Sequence, residues 1–181
     1  MTVDISAWLL SLGLGLAAAP AAAAKPQAHT LSLSLFTIGK SQNKNQVQYA
    51  VHVDGQCVPV SAAPVFAYWR MLELGPNRVE PLLSRELDAY GPATQLVTTR
   101  GADGGKVRLV LRALRDRPIV VETRRTADGT CRALATVSIA GSPAHLFNVY
   151  VKLTWHLSVD YLLLRGWSMD GTRVLSEKLK T

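Results

Sequence analysis

Several kinds of chemistry are excluded by what the chain does not contain. Its two cysteines and four histidines are scattered, with no CxxC and no histidine cluster. That is too few ligands, at the wrong spacing, for a structural or catalytic metal. No GxSxG, HExxH or P-loop pattern occurs, so no common hydrolase or nucleotide-binding machinery is signalled. The glycine-rich run 101–105 joins two β-prone stretches and opens no helix, which makes it a hairpin loop rather than a phosphate cradle. Neither a metal nor a cofactor is expected. Beyond residue 24 no apolar run is long enough to cross a bilayer as a helix.

The amino terminus has a different character. Residues 5–19 are apolar, Pro20 interrupts them, and Ala22, Ala23 and Ala24 supply the small residues a signal peptidase requires. The usual positive residues at the start are missing, and an uncleaved anchor is the rival reading. The Ala- and Gly-rich composition and Pro20 favour a cleaved export signal over 1–24, leaving 25–181 as a single β-rich domain. No cysteine lies near the cleavage point to carry a lipid. The expected location is periplasmic or secreted. In that oxidising setting Cys57 and Cys131 are expected to form a disulfide.

The chain carries 20 Lys and Arg against 13 Asp and Glu, a net charge of +7 that becomes +8 once Asp4 leaves with the signal. Such a balance suits nucleic acid, an anionic envelope polymer or acidic headgroups. Export argues against nucleic acid.

Asp-Gly recurs four times, at 54–55, 103–104, 128–129 and 170–171, each time between β-prone runs. Both residue types tolerate the positive φ of a tight hairpin, so each pair predicts a turn between antiparallel neighbours. Between the turns the period is two. Val47, Tyr49, Val51 and Val53 share one face, and Val107, Leu109 and Leu111 alternate with Lys106, Arg108 and Arg112. Strands are expected near 31–39, 46–53, 63–72, 94–100, 106–114, 118–125, 131–139, 145–156, 159–169 and 172–178. The exception is 79–90, where Val79, Leu82, Leu83 and Leu87 have helical spacing and Gly91-Pro92 is a stop. The predicted fold is mainly β: an antiparallel up-and-down barrel or closed sandwich of about ten strands, with one covering helix. Strand 159–169 is apolar on both faces, and the helix is the obvious cover.

Three regions are candidate sites. Residues 39–46 contain no apolar side chain and must form a loop. They are either a simple hairpin bend, or a rim where Lys40, Ser41, Asn43 and Asn45 hold something polar. Next, in 64–75, Val65, Ala67, Trp69 and Met71 point one way and Phe66, Tyr68 and Arg70 the other. Trp69 would therefore line any cavity, Tyr68 and Arg70 would face the helix or a partner, and Tyr90 could close the same region. Aromatics on both faces also fit core plus cover. Last, Lys106, Arg108, Arg112, Arg124 and Arg132 fall on the polar faces of neighbouring strands, a basic surface in which Glu122 is expected to lie near Arg108 and Arg112 and partly neutralise them. His29, His52, His145 and His156 form no evident catalytic set.

The stretches LFTIGKSQNKNQVQYAV, PVFAYWRMLELG and EPLLSRELDAYG, with Ser41, Asn43, Asn45 and Tyr49, then Tyr68-Trp69, then Tyr90-Gly91, resemble the bacterial domain-of-unknown-function family 4833. The similarity runs from about Leu35 to the last strand. It implies a small exported protein of mostly β structure and brings no reaction, ligand or catalytic residue. The leading functional expectation is a non-catalytic binding protein for a small apolar or amphiphilic, lipid-like molecule. An envelope interaction module that docks an anionic component through its basic face is the alternative, and an enzyme is a third class.

Overall fold

A computed structural model describes residues 30–156 and 158–180. The expected signal segment 1–24, and His29 with it, lie outside the described residues. The rest is mainly β: eleven strands, one α-helix and one 3-10 turn.

The first two strands, β1 (Leu31–Lys40) and β2 (Asn43–Val53), form a hairpin. β3 (Val65–Arg70) pairs with β2, and β4 (Val79–Pro81) pairs with β3. After the helix α1 (Ser84–Tyr90) come β5 (Pro92–Gly101), β6 (Gly104–Leu111), β7 (Ile119–Arg125), β8 (Cys131–Ile139) and β9 (Ser142–Leu153), each paired antiparallel with the next. β10 (Val159–Ser168) and β11 (Val174–Lys180) complete the sheet beyond β9. All ten expected strands are present.

Three of the four Asp-Gly pairs close hairpins between adjacent strands: β5–β6, β7–β8 and β10–β11. The last two share a fuller device, Thr-x-Asp-Gly-Thr at 126–130 and Ser-x-Asp-Gly-Thr at 168–172. In each, one carboxylate oxygen accepts from the hydroxyl two residues before and from both the amide and the hydroxyl two residues after. These donors hold Asp128 and Asp170 low, at a pKa of about 2. Asp54-Gly55 also forms a turn, with the Cys57 amide donating to the Asp54 carbonyl at 3.0 Å, but it returns the chain to an isolated antiparallel bridge, Val53 to Pro59, at the start of the long β2–β3 connection. Asp54 accepts from the amides of Gln56 and Val58 and leads the chain to Cys57.

Two-residue alternation places one face of each strand in a common core. Val47, Tyr49, Val51, Leu109, Ile119 and Leu164 are all fully buried. The expected disulfide is present, Cys57 to Cys131, with the Cα atoms 5.3 Å apart. It ties the β2–β3 connection to the start of β8.

The sheet departs from the expected all-antiparallel, closed form in two ways. β8 pairs with β9 only as far as His145, which leaves the rest of that edge of β9 open. An open ladder edge is costly, and β1 occupies it in the parallel sense, Thr37 to Lys40 against Asn148 to Val151. Second, the sheet does not close by backbone pairing. β3 and β5 approach across a seam where the Gln95 side chain stands in for one rung. Its Oε1 accepts from the Val65 amide at 2.9 Å, and its Nε2 donates to the Val65 carbonyl at 2.7 Å.

The helix is shorter than expected and sits elsewhere. Residues 79–81 are strand, because a proline disfavours helical geometry in the residue before it and Glu80 can pair with Trp69 instead. The helix runs only from Ser84 to Tyr90 and buries none of its side chains. Leu83 and Leu87 stay exposed. It rests against the 3-10 turn Arg112–Leu114 rather than covering β10. β10 needs no such cover: Leu162 and Leu164 face the core, while Arg165 and Trp167 face out.

Candidate functional site

The polar knot between β1 and β2 is built with its side chains divided between two tasks. Ser41 prolongs the β1–β9 pairing: its amide donates to the Val151 carbonyl at 3.1 Å, and its hydroxyl accepts from the Leu153 amide at 3.1 Å. Gln42 is the exposed tip. Asn43 Oδ1 accepts from the Asn45 amide at 3.1 Å, and Asn45 Oδ1 accepts from the Glu73 amide at 3.1 Å. A backbone N–H can only donate, so both side-chain oxygens are fixed by these bonds. The two NH2 groups are left with no acceptor among the described residues.

These asparagines line a cleft of about 410 Å³ at one end of the sheet. Trp69, Met71, Pro81 and Leu83 supply its apolar wall. Lys40, Glu80 and Glu86 add charge around it. Trp69 is the central element. It pairs with Val47 on one side and Glu80 on the other, and it is 8% exposed. Its indole N–H is buried without an acceptor, a condition that costs a folded protein free energy. The Lys40 ammonium lies 5.1 Å above its ring, and Tyr90 meets it edge-on at 5.7 Å.

Tyr90 is held from behind. The Tyr49 hydroxyl, from a fully buried side chain stacked on Phe36 at 4.5 Å, donates to the Tyr90 carbonyl. Burial, and then the neighbouring Tyr90, pushes the Tyr49 phenol well above its ordinary pKa. Tyr90 is raised too, by burial and then by Glu86. Glu86 in turn accepts from the Leu83 amide at 2.8 Å and fixes the start of the helix.

A second cleft, of about 530 Å³, lies across the same bend and shares Lys40, Asn43 and Asn45 with the first. Lys44, Phe147, Asn148, Tyr150 and Arg165 also line it.

Of the residues singled out by sequence, Lys40, Asn43, Asn45 and Trp69 come together around the first cleft, with Tyr90 directly behind Trp69. Ser41 belongs to the framework. Tyr68 and Arg70 lie on the opposite side of β3, Tyr68 against Phe66 at 5.8 Å and Arg70 opposite Gln46. Met71, on the face of Trp69 by the two-residue period, lines the cleft, and sequence reasoning missed Glu80, Pro81, Leu83 and Glu86 as lining residues. The signal for these four was the amphipathic segment 79–90, which must lay its apolar face on the sheet or across an open end.

The basic positions are spread over a wider area. Lys106 meets Glu122 at 3.5 Å, and Arg112, which lies in the 3-10 turn, meets Asp88 at 3.8 Å. Arg108 faces Val120, and Arg124 lies directly opposite Arg132. Glu122 therefore neutralises Lys106, not Arg108 or Arg112. The three described histidines remain apart. His52 stacks on Phe66 at 4.0 Å with Ser32 Oγ at 3.1 Å, His145 lies 3.2 Å from Thr136 Oγ1, and His156 packs on the exposed Trp155. Among the described residues no group of three metal-ligating side chains comes together, and no helix is long and apolar enough to cross a membrane.

No curated protein and no solved structure matches this chain. Residues 36–178 match the family model described as domain of unknown function DUF4833, a span that includes both clefts, the disulfide and ten of the eleven strands in full or nearly so. The chain belongs to the DUF4833 family.

Proposed function

We propose that this is an exported, non-catalytic binding protein that holds a small amphiphilic or lipid-like molecule in the cleft beside Trp69. The observation that carries the reading is Trp69 itself: a large ring, nine-tenths buried, whose indole N–H finds no acceptor, in the wall of an open cleft. The cleft has the size of ordinary small-molecule sites, which run to roughly 300–1,000 Å³. Its chemistry is divided as an amphiphile would need. Met71, Pro81 and Leu83 accept an apolar portion, while Lys40 and the free NH2 groups of Asn43 and Asn45 accept a polar one. Export is supported by the apolar leader ending in Ala22-Ala23-Ala24 and by the Cys57–Cys131 disulfide, a bond that persists in oxidising compartments.

The test is native mass spectrometry of gently purified protein, followed by titration with lauric acid and lysophosphatidylcholine. A retained small molecule, or saturable one-to-one binding that drops at least tenfold in Leu83→Lys with unchanged thermal stability, supports the reading. Leu83 is exposed, so the variant should fold. Neither a retained molecule nor saturable binding would refute it.

One observation favours a second reading, an interaction module. Arg124 and Arg132 are cross-strand neighbours of like sign, and with Arg108 they have no ion-pair partner among the described residues. Like charges placed directly opposite are unfavourable unless an anionic surface covers them. The charge-reversing pair Arg124→Glu and Arg132→Glu should abolish retention on an anionic resin if that face is the docking surface, and should leave it unchanged if not.

A further inference from the structure

The second cleft is a different chemical object from the first. Its cations are Lys40, Lys44 and Arg165, and no carboxylate lines it. Among the described residues neither Arg165 nor the Lys44 ammonium has an ion-pair partner. The amides add donors of the same sense, since Asn43 and Asn45 spend their oxygens on the backbone and leave their NH2 groups uncommitted. Two rings, Phe147 and Tyr150, complete the lining.

The backbone is bent to make this surface. Arg165 pairs with Asn148 and Gly166 with Leu146, so Phe147 is the extra residue of a β-bulge. The bulge lets Phe147 and Asn148 both escape the core side, a use typical of bulges beside sites. On the facing wall, Gly39 pairs with Gln46 but Lys40 pairs with Asn43, a second shift of register that takes Lys44 and Asn45 out of the β1 pairing. The Lys44 amide donates instead to Glu73 Oε1 at 3.2 Å, and the Asn45 amide to Asn43 Oδ1, while the Lys44 ammonium has no ion-pair partner among the described residues. Gly39 lies on the cleft floor opposite Tyr150, and a Cβ added there would meet no atom within 4 Å. The aromatic surface continues outward from Phe147 to the half-exposed Trp167, 5.9 Å away.

We infer that this cleft binds an acidic glycan, a saccharide chain carrying carboxylates. The donors match carboxylate and ring oxygens, with Arg165 able to take a carboxylate in two parallel hydrogen bonds. The rings suit the C–H faces of sugars. Acid groups spaced one or two sugars apart need only a few cations, as found here. A polynucleotide or an anionic membrane presents a denser charge and would call for a longer basic track.

The site is separable from the cleft beside Trp69, because Lys44, Phe147, Tyr150 and Arg165 do not line that cleft. The experiment is calorimetric titration of the mature protein with tetragalacturonate, with maltotetraose as the neutral control. Tetragalacturonate should bind, more weakly as salt rises, and maltotetraose should not. Lys44→Gln with Arg165→Gln should weaken binding at least tenfold, and Gly39→Val should do the same by filling the floor without strain. Both should keep the thermal midpoint, and Leu83→Lys should leave glycan binding unchanged. Wild-type affinity in the double variant overturns the inference. So does tighter, equally variant-sensitive binding to phosphatidylglycerol vesicles or to oligothymidylate.

Discussion

Replacing Tyr49 with Phe isolates one hydroxyl whose environment is unusually well defined. The ring is fully buried, stacked on Phe36, and its hydroxyl donates to the Tyr90 carbonyl. At pH 7 the variant keeps the ring and loses the bond, leaving the end of the helix with an unmet acceptor. That should cost about 1–2 kcal/mol. Alkaline pH gives the sharper test. A free phenol ionises near pH 10, but burial keeps the folded Tyr49 protonated well above that. The folded-state pKa is therefore raised, so the stabilisation is complete below pH 10 and is lost as the pH climbs from there toward the folded value. Between those two values the unfolded chain has released a proton that the folded chain retains, and stability falls by about 1.4 kcal/mol per pH unit. From pH 7 to pH 11 the wild type should lose about 1.4 kcal/mol through this one group, and Tyr49→Phe should lose none through it. Urea denaturation of both proteins at pH 7 and pH 11 gives the double difference directly. The destabilisation by the variant should shrink toward zero at pH 11. An equal difference at both pH values would mean that water reaches the hydroxyl, and the account of how Trp69 and Tyr90 are held would fall.

Three further expectations concern the frame. The Cys57–Cys131 bond spans a sequence separation of 74 residues, so the Cys57→Ser, Cys131→Ser pair should lose up to about 4.5 kcal/mol in urea denaturation; a loss under about 1 kcal/mol would mean that the unfolded chain is already constrained there. Thiol titration of the unreduced protein should find no free thiol, and two would remove the bridge altogether. Glu177 receives both guanidinium nitrogens of Arg117 at 2.5 and 2.7 Å and the Ala140 amide at 2.6 Å, and these donors hold its pKa below the usual carboxylate range, Arg117 first. The stabilisation is therefore present above about pH 4.3 and disappears as the pH falls through the lower folded value. Glu177→Gln should cost about 1.5–3 kcal/mol at pH 7 and flatten the acid limb between pH 5 and 3; an unchanged limb would show that the clamp carries no linked stability.

The parts of the fold that were legible in the sequence are those set by near neighbours. Asp-Gly gave the β5–β6, β7–β8 and β10–β11 turns because the φ requirement is local, and alternation gave the buried face of β2 and β6. The fourth pair turns the chain as well, but it returns it to an isolated antiparallel bridge, Val53 to Pro59, before a longer connection leads to β3. The parallel β1–β9 pairing could not be seen. It joins Thr37 to Asn148, 111 residues apart, and arises only because β8 leaves β9 at His145. The start of the helix was lost to a competitor: the spacing of Val79 and Leu82 is helical, but pairing of Glu80 with Trp69 and the constraint from Pro81 outweigh it. The Gln95 bridge across the β3–β5 seam carries no pattern at all, since any glutamine at a strand edge would read the same.

The site was legible for a different reason. A polar run such as 39–46 is costly to bury whole, so its position at the edge of the core followed from solvation. The loop itself is only Ser41 and Gln42, however; the flanking residues are strand, and Asn45 is buried. The two-residue period also separates Trp69 from Tyr68 and Arg70, since successive side chains of a strand point to opposite faces, and only Trp69 lines the cleft. A bend and a binding rim also looked like rival readings of Asn43 and Asn45. They are compatible, because an amide has two ends: the oxygens close the bend and dock it on Glu73, and the NH2 groups then stand fixed on residues that line two clefts. A bend held by its own backbone alone would leave those donors free to rotate, and any ligand would have to order them at the expense of affinity. Here folding has already ordered them.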